Sequence, residues 1–199
     1  MIHPGAYLQR VARHGELGVF TAVPIPRGTV VWVRDALDQV LTPERVAALP
    51  ELLKAQVARY AYTDNRGDRV LCWDHTRFMN HACEPSLTSV GTLMEVANRD
   101  LAPGDELTCE YGAAFVPERF ECACGSPRCR GGIVVDDLPA LWDRWDRESA
   151  EALALAMTVE QPLLSAVRSD DPGAWIVQAI AERRPVTLPS WALGAPGGA

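Results

Sequence analysis

Three cysteines fall within eight residues in Cys122-Ala-Cys124-Gly-Ser-Pro-Arg-Cys129, with Gly125 and Pro127 supplying turns. Thiols packed at this spacing suit a soft metal, and zinc takes four such ligands in a tetrahedron, so a fourth must come from elsewhere. Cys72 and Cys109 sit in the apolar strand patterns Val70-Leu-Cys-Trp and Leu107-Thr-Cys-Glu, where a cysteine serves as a small buried hydrophobe. Cys83 lies in Asn80-His81-Ala82-Cys83-Glu84-Pro85, a polar, turn-like segment able to reach across, and is the favoured fourth ligand. His81 is its rival, because imidazole also binds zinc well. A redox pair is the competing use of the clustered thiols, and both the spacing and a reducing setting weigh against it.

These residues need elements to position them. Residues 7–35 cluster β-branched side chains broken by Pro24, Pro26 and Gly28, which predicts short strands joined by a Pro-x-Gly turn. Thr42 before Pro43 and Glu44 reads as a helix cap with proline at the first helical position, and a second helix is expected from Glu51 to about Tyr60. Strands resume at Arg69–Trp73, Leu87–Val90, Thr92–Ala97 and Glu106–Glu110. The segment from Ala22 to Val31 is weakly echoed by Ala97 to Thr108, each reading as strand, glycine turn, strand. After Gly132 the pattern turns helical: Leu138, Leu141, Trp142 and Trp145 fall on one face, as do Trp175, Ile176, Ala179 and Ile180. The last third is expected to be a helical appendage, and Gly194–Ala199 a frayed end.

The 199 residues are 48% hydrophobic and 23% charged, enough for a real core in one compact domain with an added segment, and too apolar for disorder as the main state. Nineteen basic against 26 acidic residues give a formal net charge of -7. Binding nucleic acid through its phosphates needs a basic excess, so no direct nucleic-acid binding is expected, and a basic protein or peptide is the better partner. Within the basic set the skew is extreme, since Lys54 is the only lysine. The sequence offers no apolar run for a signal peptide and none approaching the roughly 18 residues of a membrane span, so a cytoplasmic address without membrane association is expected.

Three motifs stand in order: Arg77-Phe-Met-Asn-His-Ala-Cys-Glu-Pro-Ser86, Glu106-Leu-Thr-Cys-Glu-Tyr-Gly112 and Cys122-x-Cys-Gly-x-x-x-Cys129-Arg-Gly131. Together with the upstream Arg13-His-Gly-Glu-Leu-Gly-Val-Phe20 they resemble the SET-domain protein lysine methyltransferases with a post-SET zinc segment, over roughly residues 5–132. The resemblance implies a mainly β fold with α: small β-sheets with knot-like C-terminal threading over residues 5–116 and a post-SET zinc segment at 117–132; residues 133–199 lie outside it and are expected, from their spacing, to form an α-helical C-terminal extension. It implies methyl transfer from S-adenosylmethionine to a lysine-bearing protein, with a catalytically silent peptide-binding zinc module as the alternative. By the same resemblance Tyr111 is the catalytic tyrosine, and Glu16, Leu17, Gly18, Asn80 and His81 line the cofactor. Cys83 joins Cys122, Cys124 and Cys129 on Zn2+. A phenol at that place stays neutral at pH 7 and can orient an amine. The chain departs from the family pattern in Ser86 for asparagine, Glu110 for aspartate and Gly15-Glu-Leu-Gly18 for Gly-x-Gly.

Overall fold

Glycine and proline punctuation cuts the first two thirds into short strands. In the computed structural model, which describes residues 1–13, 15–114, 120–167 and 169–190, the order begins with β1 (Ala6–Arg10), β2 (Leu17–Thr21), β3 (Val30–Val33) and β4 (Gln39–Leu41). A helical insert follows, α1 (Pro43–Ala47) and α2 (Glu51–Tyr60). Then come β5 (Ala61–Thr63), β6 (Arg69–Leu71), β7 (Asn80–His81), β8 (Leu87–Val90), β9 (Met94–Ala97) and β10 (Glu106–Cys109). β11 (Phe120–Glu121) and β12 (Gly132–Ile133) bracket the cysteine loop, and α3 (Trp142–Ala156) and α4 (Ala174–Ala181) come last. The expected frayed segment Gly194–Ala199 and the expected boundary at 116/117 lie outside the described residues.

Local chemistry accounts for the bounds. Thr42 Oγ1 accepts the Arg45 N–H at 3.3 Å with Pro43 in the first turn, as the cap predicts. Three strands are shorter than expected. β6 stops at Leu71 and the Trp73 N–H goes instead to Asp38 Oδ1 (3.3 Å). β9 starts at Met94 because Gly91, at φ +55°, turns the chain first. β10 ends at Cys109, where Glu110 folds its carboxylate onto the Gly112 N–H (3.0 Å) and the backbone enters a 3-10 turn over Tyr111–Ala114. The helix expected from Leu138 begins as a 3-10 segment over Val135–Leu141, containing Pro139, and becomes α-helical at Trp142.

The strands form small sheets in the orders β1-β2-β10-β7, β3-β9-β8, β4-β6-β5 and β11-β12. Pairing is antiparallel except between β10 and β7, where Thr108 faces Asn80 and Cys109 faces His81. That parallel pair brings two of the sequence motifs side by side. The two echoed turns also meet: Ile25 and Leu101, each three residues before a turn glycine, exchange both backbone hydrogen bonds at 2.9 Å. Gly28 and Gly104 adopt φ +92° and +90°.

The β3-β9-β8 sheet is buried on both faces. Val31, Trp32, Leu87 and Ala97 face Val19, Leu107 and Met79 of the strand core. Val30, Val33, Val90, Met94 and Val96 face Ala152, Leu153 and Ala156 of α3 and Ile176 and Ile180 of α4. The helical segment is therefore no appendage; it supplies half of a core. Gln161 fastens it, donating to the Gly28 and Ala156 carbonyls (2.8 Å each) while accepting the Val30 N–H (2.7 Å). Trp175, placed by its spacing on the apolar face of α4, is 47% exposed. Successive helical residues are about 100° apart, so a face centred on Ile176, Ala179 and Ile180 leaves Trp175 at its edge. Among the described residues no helix is long and apolar enough to cross a membrane.

Candidate active site and metal centre

β2, β10 and β7 lie in consecutive positions of one sheet, and the residues expected to line a cofactor stand at their ends. Asn80 Nδ2 donates to the Leu17 carbonyl (3.2 Å) and to Glu106 Oε1 (2.9 Å), and Arg13 Nη1 reaches Glu106 Oε2 (2.8 Å). This approach requires Gly18 to lack a side chain: a Cβ there would stand 2.6 Å from Val11 Cγ2, 2.8 Å from Glu106 Oε1 and 2.9 Å from Asn80 Nδ2. Glu16 is solvent-facing and pairs with Arg59 Nη2 of α2 at 3.4 Å. Leu17, Gly18, Asn80 and Glu106 thus form one cluster, with Glu16 at its rim.

Tyr111 opens the turn after β10. Its N–H donates to His81 Nδ1 (3.2 Å) and its hydroxyl donates to the Met79 carbonyl (2.7 Å). The Tyr111 ring lies 5.5 Å from that of His81 and 5.3 Å, edge on, from that of Phe120 in β11. Burial, reinforced by nearby Cys109, Glu16 and Glu106, holds the Tyr111 hydroxyl well above the ordinary phenol range, so it stays protonated. Ala113 of the turn packs on Ile133, Leu138 and Trp145, and a Cβ on Gly112 would stand 2.8 Å from Leu138 and 3.0 Å from Trp145. Trp145 is thus packing, as its sequence pattern suggests.

The Sγ atoms of Cys83, Cys122, Cys124 and Cys129 lie within 4.8 Å of one another. Four sulfurs about 2.3 Å from a central zinc stand about 3.8 Å apart in a tetrahedron. Cys83 and Cys122 are separated by 3.8 Å, Cys122 and Cys129 by 3.7 Å, so the donor set fits zinc. Backbone N–H groups support the sulfurs, Arg130 on Cys83 (3.3 Å) and Gly131 on Cys129 (3.4 Å). Cys72 and Cys109 stay out of the quartet, and burial raises both thiols well above their usual range. The quartet is complete without His81. With Nδ1 accepting from Tyr111, His81 Nε2–H points at Cys83 Sγ at 3.4 Å, which makes it a neighbour of the metal centre. Burial lowers the His81 pKa against the Glu110 carboxylate, which favours a neutral ring.

Sequence reasoning missed Glu106, Phe120 and the ion pair between Glu110 and Arg130. Glu110 is buried, and both its oxygens accept from Arg130 Nη2, at 2.8 and 2.6 Å. The available signal was two carboxylates flanking the three residues Leu107-Thr-Cys109, and an arginine directly after Cys129, all within the quoted motifs.

Residues 16–112 match the family model described as SET domain. The histone-lysine N-methyltransferase ATX2 of Arabidopsis thaliana is 41% identical over 69 residues, covering 31% of this chain and 6% of that protein. Trithorax of Drosophila melanogaster, also named a histone-lysine N-methyltransferase, is 31% identical over 103 residues, 40% of this chain and 3% of the relative. The histone-lysine N-methyltransferase ash1 of the same fly is 28% identical over 130 residues, 58% of this chain and 6% of the relative. The chain spans less than a tenth of the length of these curated relatives. The crystal structure of KRYPTONITE in complex with mCHG DNA and SAH aligns with a TM-score of 0.46 at 23% identity, over 64% of this chain and 28% of that one.

Proposed function

Proceeding from a SET domain at residues 16–112, we propose that this protein transfers a methyl group from S-adenosylmethionine to the side-chain amine of a lysine in a protein substrate, with Zn2+ held by Cys83, Cys122, Cys124 and Cys129. The observation that carries the reading is the half-buried Tyr111, its hydroxyl bonded to the Met79 carbonyl and its ring packed against those of His81 and Phe120, beside the cluster of Gly18 and Asn80. The backbone of Glu16, Leu17 and Gly18, with Asn80 and His81, would hold the cofactor, which supplies an electrophilic methyl on a sulfonium when bound.

A lysine side chain has an ordinary pKa near 10.4, so its neutral, nucleophilic form lies about 4.6 kcal/mol uphill at pH 7. The site favours that form by desolvation, since an ammonium loses hydration on entering the buried surroundings of Tyr111. The Tyr111 and Met79 oxygens, 2.7 Å apart, form a small polar feature there that can orient amine N–H groups. Tyr111 is thus an orienter of the amine; with its hydroxyl held protonated it does not serve as the proton acceptor. The zinc centre pins the cysteine loop, whose Phe120 walls Tyr111.

We assign residues 5–116 to the catalytic unit, 117–132 to the zinc segment and 133–199 to the helical segment. The partner is a basic, lysine-bearing segment drawn by the net charge of -7, without direct nucleic-acid or membrane binding. A reducing, cytoplasmic setting goes with thiols that must stay free to ligate metal. The test is incubation of the zinc-loaded protein with isotope-labelled S-adenosylmethionine and a panel of basic proteins, read by mass spectrometry. Tyr111→Phe should lower product by about 100-fold or more while calorimetry shows the cofactor still bound. Undiminished turnover removes the role given to Tyr111, and no cofactor binding at full zinc occupancy favours the silent peptide-binding module. The skewed composition helps, because Lys54 is the only lysine the protein could modify on itself.

A further inference from the structure

Glu110 lies directly before Tyr111, and its carboxylate shapes the turn that carries it. Oε1 accepts the Gly112 N–H at 3.0 Å and the Glu110 carbonyl accepts the Ala113 N–H at 3.0 Å. This carboxylate is 5% exposed, and its counter-charge comes from Arg130, inside the cysteine loop. Arg130 also touches the metal centre, because its own N–H donates to Cys83 Sγ at 3.3 Å. Arg144 Nη2 of α3 stands farther off, at 3.8 Å, and its Nε faces Glu148 at 3.4 Å. His81 Nδ1 lies 3.6 Å from Glu110 but is engaged by the Tyr111 N–H.

A buried carboxylate that loses its closest cation, and keeps only Arg144 at 3.8 Å, must protonate, hydrate or swing out, because an under-compensated buried charge is strongly destabilising. For Glu110, swinging out means releasing the Gly112 N–H, and with it the turn that sets the Tyr111 ring. Resting on the methyl-transfer reading, we infer that Arg130 is a positioning residue: paired with Glu110, it makes the geometry of Tyr111 depend on whether the cysteine loop is locked down by metal. Zinc ligation fixes the loop, the loop presents the guanidinium, and the guanidinium holds Glu110 and the turn. Phe120 offers a parallel route by ring contact alone, and the experiment separates the two.

The measurement is hydrogen exchange on the full chain with and without zinc, read at the amides of Gly112 and Ala113 and separately across residues 122–131. In the parent protein zinc should slow exchange in both places, by about tenfold or more at Gly112 and Ala113. In Arg130→Met, which keeps the stem, the backbone donor to Cys83 and all four thiols, zinc should still protect 122–131 but change Gly112 and Ala113 less than about twofold. Glu110→Gln, which keeps an oxygen for the Gly112 N–H and removes the buried charge, should decouple the two regions in the same way and serves if Arg130→Met does not fold. Equal zinc protection of Gly112 and Ala113 in parent and variants would assign the linkage to Phe120 and overturn the inference. Exchange is read without turnover, so decoupling in a protein that transfers no methyl group would refute the methyl-transfer reading and leave the linkage standing.

Discussion

Gly28 and Gly104 occupy equivalent places in the two echoed turns, at φ +92° and +90°, and differ in what lies above them. A Cβ on Gly28 would stand 2.8 Å from the Leu155 carbonyl oxygen, 2.9 Å from its carbon and 3.0 Å from the Leu155 Cβ, whereas a Cβ on Gly104 meets nothing within 4 Å. Alanine at either site bears the cost of a left-handed backbone, about 1–2 kcal/mol. At Gly28 it also forces the turn against the last turn of α3, where overpacking adds about 1–3 kcal/mol. The expectation is a loss of about 1–2 kcal/mol for Gly104→Ala and about 2–5 kcal/mol for Gly28→Ala. For a chain of this length each kcal/mol moves the thermal midpoint by roughly 2–4 °C, so circular dichroism melts and urea titrations resolve the pair. Equal destabilisation of the two variants would refute the close seating of α3 on the strand core, because only Gly28 lies beneath Leu155.

Three further outcomes test the site and its surroundings. Gly18→Ala should fold but bind S-adenosylmethionine about tenfold or more weakly by calorimetry, since its Cβ contests the space of Asn80 and Glu106; parent-like affinity would contradict the cluster's role. Chelation of zinc should weaken cofactor binding and turnover together, and unchanged values in fully demetallated protein would count against the loop's place at the site. Glu95 in β9 is buried with Oε1 accepting from Ser89 (2.6 Å) and Oε2 without a hydrogen-bond partner among the described residues, and burial pushes its carboxyl up to about 8. The unfolded chain ionises Glu95 near its ordinary 4.5, so between there and about pH 8 the folded state binds the extra proton and stability falls as pH rises. Glu95→Gln should flatten that decline in urea midpoints from pH 5 to 8, and an identical slope would show that Glu95 does not cause it.

Much of this arrangement was legible in local sequence because local physics produces it. The Thr42-Pro43 cap, the turn glycines and the thiol spacing act over a few residues, and each predicted its element or its quartet. The strand ends were less legible, since side chains from elsewhere terminate them, Asp38 taking the Trp73 N–H and Glu110 folding back on Gly112. Long-range charge pairing was not legible: Glu106 meets Asn80 and Arg13 across 26 and 93 positions, and no local pattern tells a paired carboxylate from a solvated one. The helices after Gly132 were recognised as amphipathic, but their spacing does not say which surface they cover. Only the uninterrupted burial of β3, β8 and β9 hints that these strands need a second covering layer.

That second layer decides how the molecule can be subdivided. The cysteine loop comes before α3 in the chain, so the thiol quartet and Tyr111 end earlier than the residues that complete the interior. A polypeptide stopped after Gly132 would keep the thiols, Tyr111 and the cofactor cluster, yet it would present Val30, Val33, Val90, Met94 and Val96 to water as one continuous greasy sheet face. The smallest piece that can stay dispersed in solution is therefore set by α3 and α4, well downstream of Tyr111 and the four thiols.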